Sequence, residues 1–140
     1  MNSFISSSKL TSASAGIAII RIIVGLFMLY HGWEVFDTGK IKEYAGWDSF
    51  KGFSSPLLMA YLGKGSEFVA GLLLATGFLT RIGCIIVICT LSYIAFFIGH
   101  GEIWMSDQYP FLFVLLALVF IFTGPGKWSV DGLLFKAKSK

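Results

Sequence analysis

Charge is scarce in this chain. Only 14% of its 140 residues are Asp, Glu, Lys or Arg, against about a quarter in soluble domains, too few to cover a globule in water. Cysteine occurs twice, at Cys84 and Cys89. The two lie on one expected helix, about 140° apart around its axis, which is poor geometry for a disulfide and forms no CxxC motif; both read as small apolar packers. No zinc-ligand spacing, nucleophile elbow, Walker loop or dinucleotide fingerprint is present, and no metal site is expected. No basic patch is interleaved with aromatics, which argues against nucleic acid as a partner. The two halves share no aligned motif, so an inverted-repeat transporter is not supported.

Long apolar runs are present instead. Hydrophobic residues make up 56% of the chain and the mean hydropathy is +0.78. Four apolar segments stand out, near residues 13–33, 56–79, 82–99 and 108–123, each close to the roughly 20 residues that cross about 30 Å of hydrocarbon as a helix. They predict an all-α integral membrane four-helix bundle, one transmembrane domain over residues 1–140, with the lipid bilayer as its first partner. The first run carries Arg21 in its middle and has its small residues before the apolar stretch, so it is not expected to be a cleavable signal peptide. Residues 1–14 read as a polar, Ser-rich tail. Residues 34–55 read as an aromatic, charged loop that lies on the outer surface or caps the bundle, with room for a short amphipathic helix. Asp107 is placed to cap the fourth span, and residues 124–140 form a basic inner tail. Lys9, Arg81, Lys127, Lys136, Lys138 and Lys140 fall on one side of the spans, whereas the loop at 34–55 offsets its lysines with Glu34, Asp37, Glu43 and Asp48. Positive loops stay on the cytoplasmic side, so a multi-pass protein of the plasma (inner) membrane with both termini inside is expected.

Two ionisable side chains, Arg21 and Glu67, sit deep inside these runs. Burying either alone costs roughly 2.5–3.5 kcal/mol on insertion scales, so each needs a partner. On a helical wheel Arg21 shares a face with Gly25, Met28 and Gly32, and Glu67 shares one with Ala60, Gly63 and Gly71. Small residues mark the packed side of a membrane helix, so both charges point inward. Counting about 1.5 Å per residue from the ends of the runs puts them at nearly the same depth, and a direct or water-bridged Arg21–Glu67 pair is expected. In a functional reading Glu67 exchanges a proton and Arg21 holds an anionic or carbonyl oxygen; in a structural one the pair only fixes how two helices dock. Gly63, Lys64, Gly65 and Ser66 are expected to weaken or bend the second span beside Glu67, unless the glycines serve close packing. His31, Glu34, Lys64, His100 and Glu102 gather at the outer ends. The histidines read as interfacial, with haem ligation or a proton relay as less favoured uses. His31, Lys64, Tyr30 and Tyr61 are candidates for hydrogen bonding a substrate.

Several segments together resemble the DoxX family of small four-helix membrane proteins. They are Arg21-x-x-x-Gly25 with His31-Gly32-Trp33, Glu67 with Gly71 and the run through Thr80-Arg81, and the closing Gly124-Pro125-Gly126-Lys127-Trp128-Ser129-Val130-Asp131. The resemblance covers nearly the whole chain and implies an all-helical bundle in the plasma membrane. Some members are similar to the membrane subunit of thiosulfate:quinone oxidoreductases and others are associated with redox-defence complexes, so it also implies a redox-linked role. It carries over Arg21, Gly25, His31, Gly32, Glu67, Gly71, Arg81 and residues 124–131. Read by its residues alone, the last segment is a helix stop, an interfacial Trp128 and a capping Ser129. The sequence offers no redox-active cysteine pair and no sulfur-handling domain. Three functions fit: a quinone-interacting membrane subunit with Glu67 and Arg21 as its catalytic pair; a non-enzymatic scaffold, anchor or assembly factor for a partner enzyme; and, less favoured, a small-molecule or proton transporter. Whether the partner is a redox protein or a soluble subunit stays open, as does the oligomeric state.

Overall fold

The computed structural model describes residues 10–136. Among them every regular element is helical: α1 Leu10–Gly32, α2 Thr38–Ala45, α3 Pro56–Thr76, α4 Thr80–Tyr93, α5 Gln108–Thr123 and α6 Val130–Lys136. Three segments are long and apolar enough to cross a membrane, Ala13–Phe36, Pro56–Thr76 and Thr80–Ile98, and α5 is a shorter apolar helix. The chain is thus an all-helical membrane protein, as its apolar runs predict. α1 already includes Leu10, inside the expected polar tail, because Ser and Thr cost a helix end little and no Pro or Gly intervenes before Gly16. The first nine residues of that tail, and Lys138 and Lys140 of the basic one, lie outside the described residues.

Local chemistry sets the helix ends. Asp37 begins α2, its Oδ1 accepting the N–H groups of Gly39 at 2.9 Å and Lys40 at 3.2 Å, which satisfies two of the free donors of a helix start. Gly77, at φ 68°, stops α3. Its N–H donates to Leu74 O at 3.3 Å and that of Phe78 to Leu73 O at 3.1 Å, a left-handed ending that glycine takes without strain. α4 continues as a π-helical turn, Ile94–Ile98. α3 runs unbroken through Gly63 and Gly65, since glycine costs a helix only about 1 kcal/mol each. One expectation fails here. Asp107 does not cap α5; its Oδ2 turns back to accept from His100 N and Glu102 N, both at 2.9 Å. Those donors close the loop and hold this carboxyl below the usual carboxylate range.

The bundle is organised around α1 and α3, which run antiparallel with their backbones in contact. A Cβ on Gly25 would strike Ala75 N, one on Gly32 would strike Phe68 N, and one on Gly71 would sit 2.5 Å from Leu29 N. α4 packs on α3, and α5 on α4. Val24, Met28, Ala70, Leu74, Cys84, Val87, Leu91, Val114, Ala117 and Phe120 fill the space between them. Outward-facing Ile19, Ile23, Phe27, Leu72, Ile85 and Phe122 are exposed, the apolar surface that lipid contact requires.

Leu in place of Gly25 or Gly71 forces α1 and α3 apart and is expected to destabilise the protein by about 3 kcal/mol, read as a lower midpoint when the purified protein is titrated with SDS. Gly16→Leu, where a Cβ meets nothing within 4 Å, is expected to leave the midpoint unchanged.

Candidate functional site

The two buried charges do not meet. Arg21 is fully buried, and its guanidinium serves four backbone carbonyls. Nε donates to Pro125 O at 2.7 Å, Nη1 to Leu74 O and, at 3.3 Å, to Ala75 O, and Nη2 to Trp128 O at 3.0 Å. Leu74 and Ala75 lie in the last turn of α3, where carbonyls lack intrahelical partners and the helix dipole is negative. The closing segment wraps around the same point. Trp128, at φ 53°, turns its carbonyl to Arg21; Lys127 N donates to Ser14 O at 3.2 Å; and Gly126 lies so close to α1 that a Cβ would come within 2.7 Å of Ser14 O. Ser129 Oγ accepts from Gly132 N at 3.0 Å at the start of α6. Asp131 reaches back to α4, accepting from Leu79 N at 2.8 Å and Thr80 N at 2.9 Å. Arg21, Pro125, Gly126, Ser129 and Asp131 therefore form an architectural clasp that joins four helices, with Gly124, at φ 80°, ending α5 just before it and Arg81 exposed beside it.

The pairing expectation fails on register. Gly32 of α1 lies against Glu67 and Phe68, while Gly25 lies against Ala75. That puts Arg21 level with the end of α3, about 15 Å along the helix from Glu67. Equal depth had assumed that both helices begin and end together, but the first half of α3 stands beyond the end of α1.

Glu67 belongs instead to the second polar group. Its side chain is 7% exposed, and Oε2 accepts from Lys64 Nζ at 3.0 Å. The same ammonium lies 3.0 Å from Glu34 Oε2, which also accepts the Tyr44 hydroxyl at 2.6 Å. Lys64 Nζ sits 5.0 Å from the centre of the Tyr44 ring, a cation–π contact. Burial and the Glu34 carboxylate push the Tyr44 hydroxyl above the ordinary tyrosine range, so it stays protonated. His31 is exposed at the end of α1. Among the described residues no group of His, Cys, Asp and Glu is arranged to hold a metal ion.

This cluster forms one corner of a cleft of about 490 Å³ between α3, the end of α4 and the α2 cap. Its walls are apolar and aromatic, including Trp47, Phe50, Met59, Tyr93, Ile94 and Ile98, with Cys89 and Thr90 at the side. Gly63 lines it, and the missing side chain leaves open space there. Cys84 packs in the core, but Cys89 is an exposed free thiol, not the buried packer its sequence position suggested. Tyr30 is 77% exposed on the lipid face; neither it nor Tyr61 lines the cleft. Tyr44 was missed, along with the part that Trp47 and Phe50 play in the cleft. The only sequence signal was the aromatic density of residues 34–55, which does not say where a surface helix will dock.

The DoxX family model matches residues 16–101. The chain belongs to the DoxX family. That match includes Arg21, the packed glycines and the Glu67 cluster, and ends before the closing segment of the clasp. This DoxX protein is 30% identical over 135 residues to the inner membrane protein YqjF of Escherichia coli, covering 86% of the chain and 93% of that protein. It is 28% identical over 127 residues to an uncharacterized protein of Haemophilus influenzae, covering 86% and 91%. No solved structure matches it.

Arg21→Met strands several carbonyls at once and is expected to lower the unfolding free energy by about 3–5 kcal/mol. Glu67→Gln, which keeps an acceptor for Lys64, is expected to stay within about 1 kcal/mol of wild type. SDS titration of both variants checks the division of roles; equal, large losses would restore a shared Arg21–Glu67 site.

Proposed function

We propose that the cleft beside Glu67 and Lys64 binds a quinone and that the protein is the quinone-interacting subunit of a redox assembly in the plasma membrane. The observation that carries this reading is the joining of a buried acid and ammonium to an apolar, aromatic-walled cleft inside a membrane bundle. Its volume lies within the roughly 300–1,000 Å³ of small-molecule sites. Residues present fit such a ligand: Lys64 makes two of its three possible hydrogen bonds within the protein, leaving one donor for a carbonyl oxygen, and Trp47, Phe50 and Tyr93 offer faces to a flat ring. When bound, a quinone supplies the two-electron, two-proton chemistry that no side chain here provides. Glu67 accepts or returns a proton at the ligand oxygen, Lys64 orients that oxygen, and the apolar walls exclude water. Arg21 holds the bundle in shape and takes no part. The π-helical turn at Ile94–Ile98 on the cleft wall agrees with a binding role, since such turns occur often at functional sites.

The surplus of positive charge at Arg81 and Lys127 supports a cytoplasmic location for the clasp side and, with it, for both termini; the name of the Escherichia coli relative agrees with an inner-membrane site. A scaffold role has one observation of its own: Leu133, Leu134 and Phe135 of α6 are exposed next to the clasp, a surface suited to a partner protein or the membrane face.

Purified in mild detergent, the protein is expected to retain near-stoichiometric quinone in its lipid extract, and Glu67→Gln to lose it while remaining folded. Quinone at the bulk-lipid level in both proteins would favour the scaffold. Green fluorescent protein fused after Lys140 is expected to fluoresce, and alkaline phosphatase fused there to be inactive; the opposite pattern would invert the topology.

A further inference from the structure

The polar corner of the cleft does not end at Glu67. From Glu67 a continuous set of contacts runs through Lys64 and Glu34 to Tyr44, with spacings of 3.0, 3.0 and 2.6 Å. Exposure rises along the ionic part of this path, from 7% at Glu67 through 17% at Lys64 to 30% at Glu34. It ends beside α2, whose Lys40, Lys42 and Glu43 are exposed. Two carboxylates share one ammonium, so the cluster has an acceptor to spare for a proton. The charged and titratable groups facing it are few: His31 from α1, Lys40, Glu43 and Tyr44 from α2, and Cys89 and Tyr93 across the cleft.

In the other direction the way is closed. Between Glu67 and the clasp lie Ala70, Leu74, Val24, Met28, Cys84 and Val87, all buried, and Arg21 gives four hydrogen bonds to main-chain carbonyls. A wall of apolar side chains offers no stepping stone for a proton.

We propose that Glu67, Lys64 and Glu34 form a one-sided proton path connecting the cleft to the aqueous phase at α2 and not to the phase at the clasp. The step balances without electron transfer. An O–H bond of a hydroxyl-bearing ligand breaks, and the proton joins the Glu67 carboxylate. Lys64 gives one of its protons to Glu34 and regains one from Glu67, and Glu34 releases its proton to water. The sum is one proton moved from ligand to solvent, and the reverse sequence loads the ligand. The path depends on the quinone reading only for the identity of the ligand and is tested without any quinone.

Cys89 supplies the reporter, because it is the exposed thiol on the cleft wall while Cys84 is buried. The full-length protein, labelled at Cys89 with fluorescein maleimide, is reconstituted into liposomes, which are sorted on a C-terminal tag into tag-out and tag-in populations. A rapid pH jump is then applied outside. Tag-in vesicles, with α2 outward, are expected to respond about tenfold or more faster than tag-out vesicles, and Glu34→Gln or Glu67→Gln is expected to remove most of that advantage. Glu34→Asp, which keeps the titrating group, is expected to restore part of it, and an unchanged SDS midpoint shows that each variant is folded. Equal rates from the two sides, or full speed in both glutamine variants, would overturn the path. Neither result depends on whether quinone co-purifies.

Discussion

The register of α1 on α3 is the contact on which the rest of the molecule depends. In lipid there is no hydrophobic drive to bring apolar helices together, so association rests on close packing and on hydrogen bonds. Gly25 and Gly32 on α1 and Gly71 on α3 remove side chains where the two backbones meet, and the observed alignment brings all three to the contact. Once that alignment is set, Arg21 arrives at the carbonyl end of α3 and the first half of α3 is left standing past the end of α1. Both polar centres are consequences.

At the clasp, a buried cation is stabilised without a carboxylate partner in contact. The guanidinium presents its donors in a rigid fork, and main-chain carbonyls from α3 and from the closing segment fill it. Unsatisfied backbone groups in a bilayer cost several kcal/mol each, so one side chain answers for the end of a helix and for a loop that would otherwise be costly to bury. Asp131 does the converse at the start of α4 by accepting two free N–H groups. Cation at a helix end and carboxylate at a helix start are the arrangement that helix dipoles favour.

The opposite end is open where the clasp is closed. Because α3 outruns α1, its exposed flank is covered by α2 and the aromatic turn at Asp48–Phe50, which do not fill the space, and Gly63 leaves more of it open. The resulting cleft has a polar corner because Lys64 lies one turn from Glu67 on α3 and reaches Glu34 just past the end of α1. The family positions divide between the clasp and the polar corner of the cleft, and Arg21 and Glu67, so alike in the sequence, belong to different halves.

Much of this was legible in the residues. Scarcity of charge and the apolar runs require a helical membrane protein, since backbone groups in lipid must be satisfied within the segment. The small residues flanking Arg21 and Glu67 already implied inward-facing charges, and the order of the motifs identified the family. Partnership was not legible. A helical wheel reports direction but not level, and level depends on how far one helix slides along another, which at 1.5 Å per residue moves a side chain by half a membrane in ten positions. The roles of Tyr44 and Trp47 and the exposure of Cys89 were equally hidden, because they arise where a surface helix docks. The sequence by itself determined what must be buried and which faces pack; only the tertiary structure decided what each buried charge touches, because that depends on helix register and unequal helix length, neither of which any local pattern encodes.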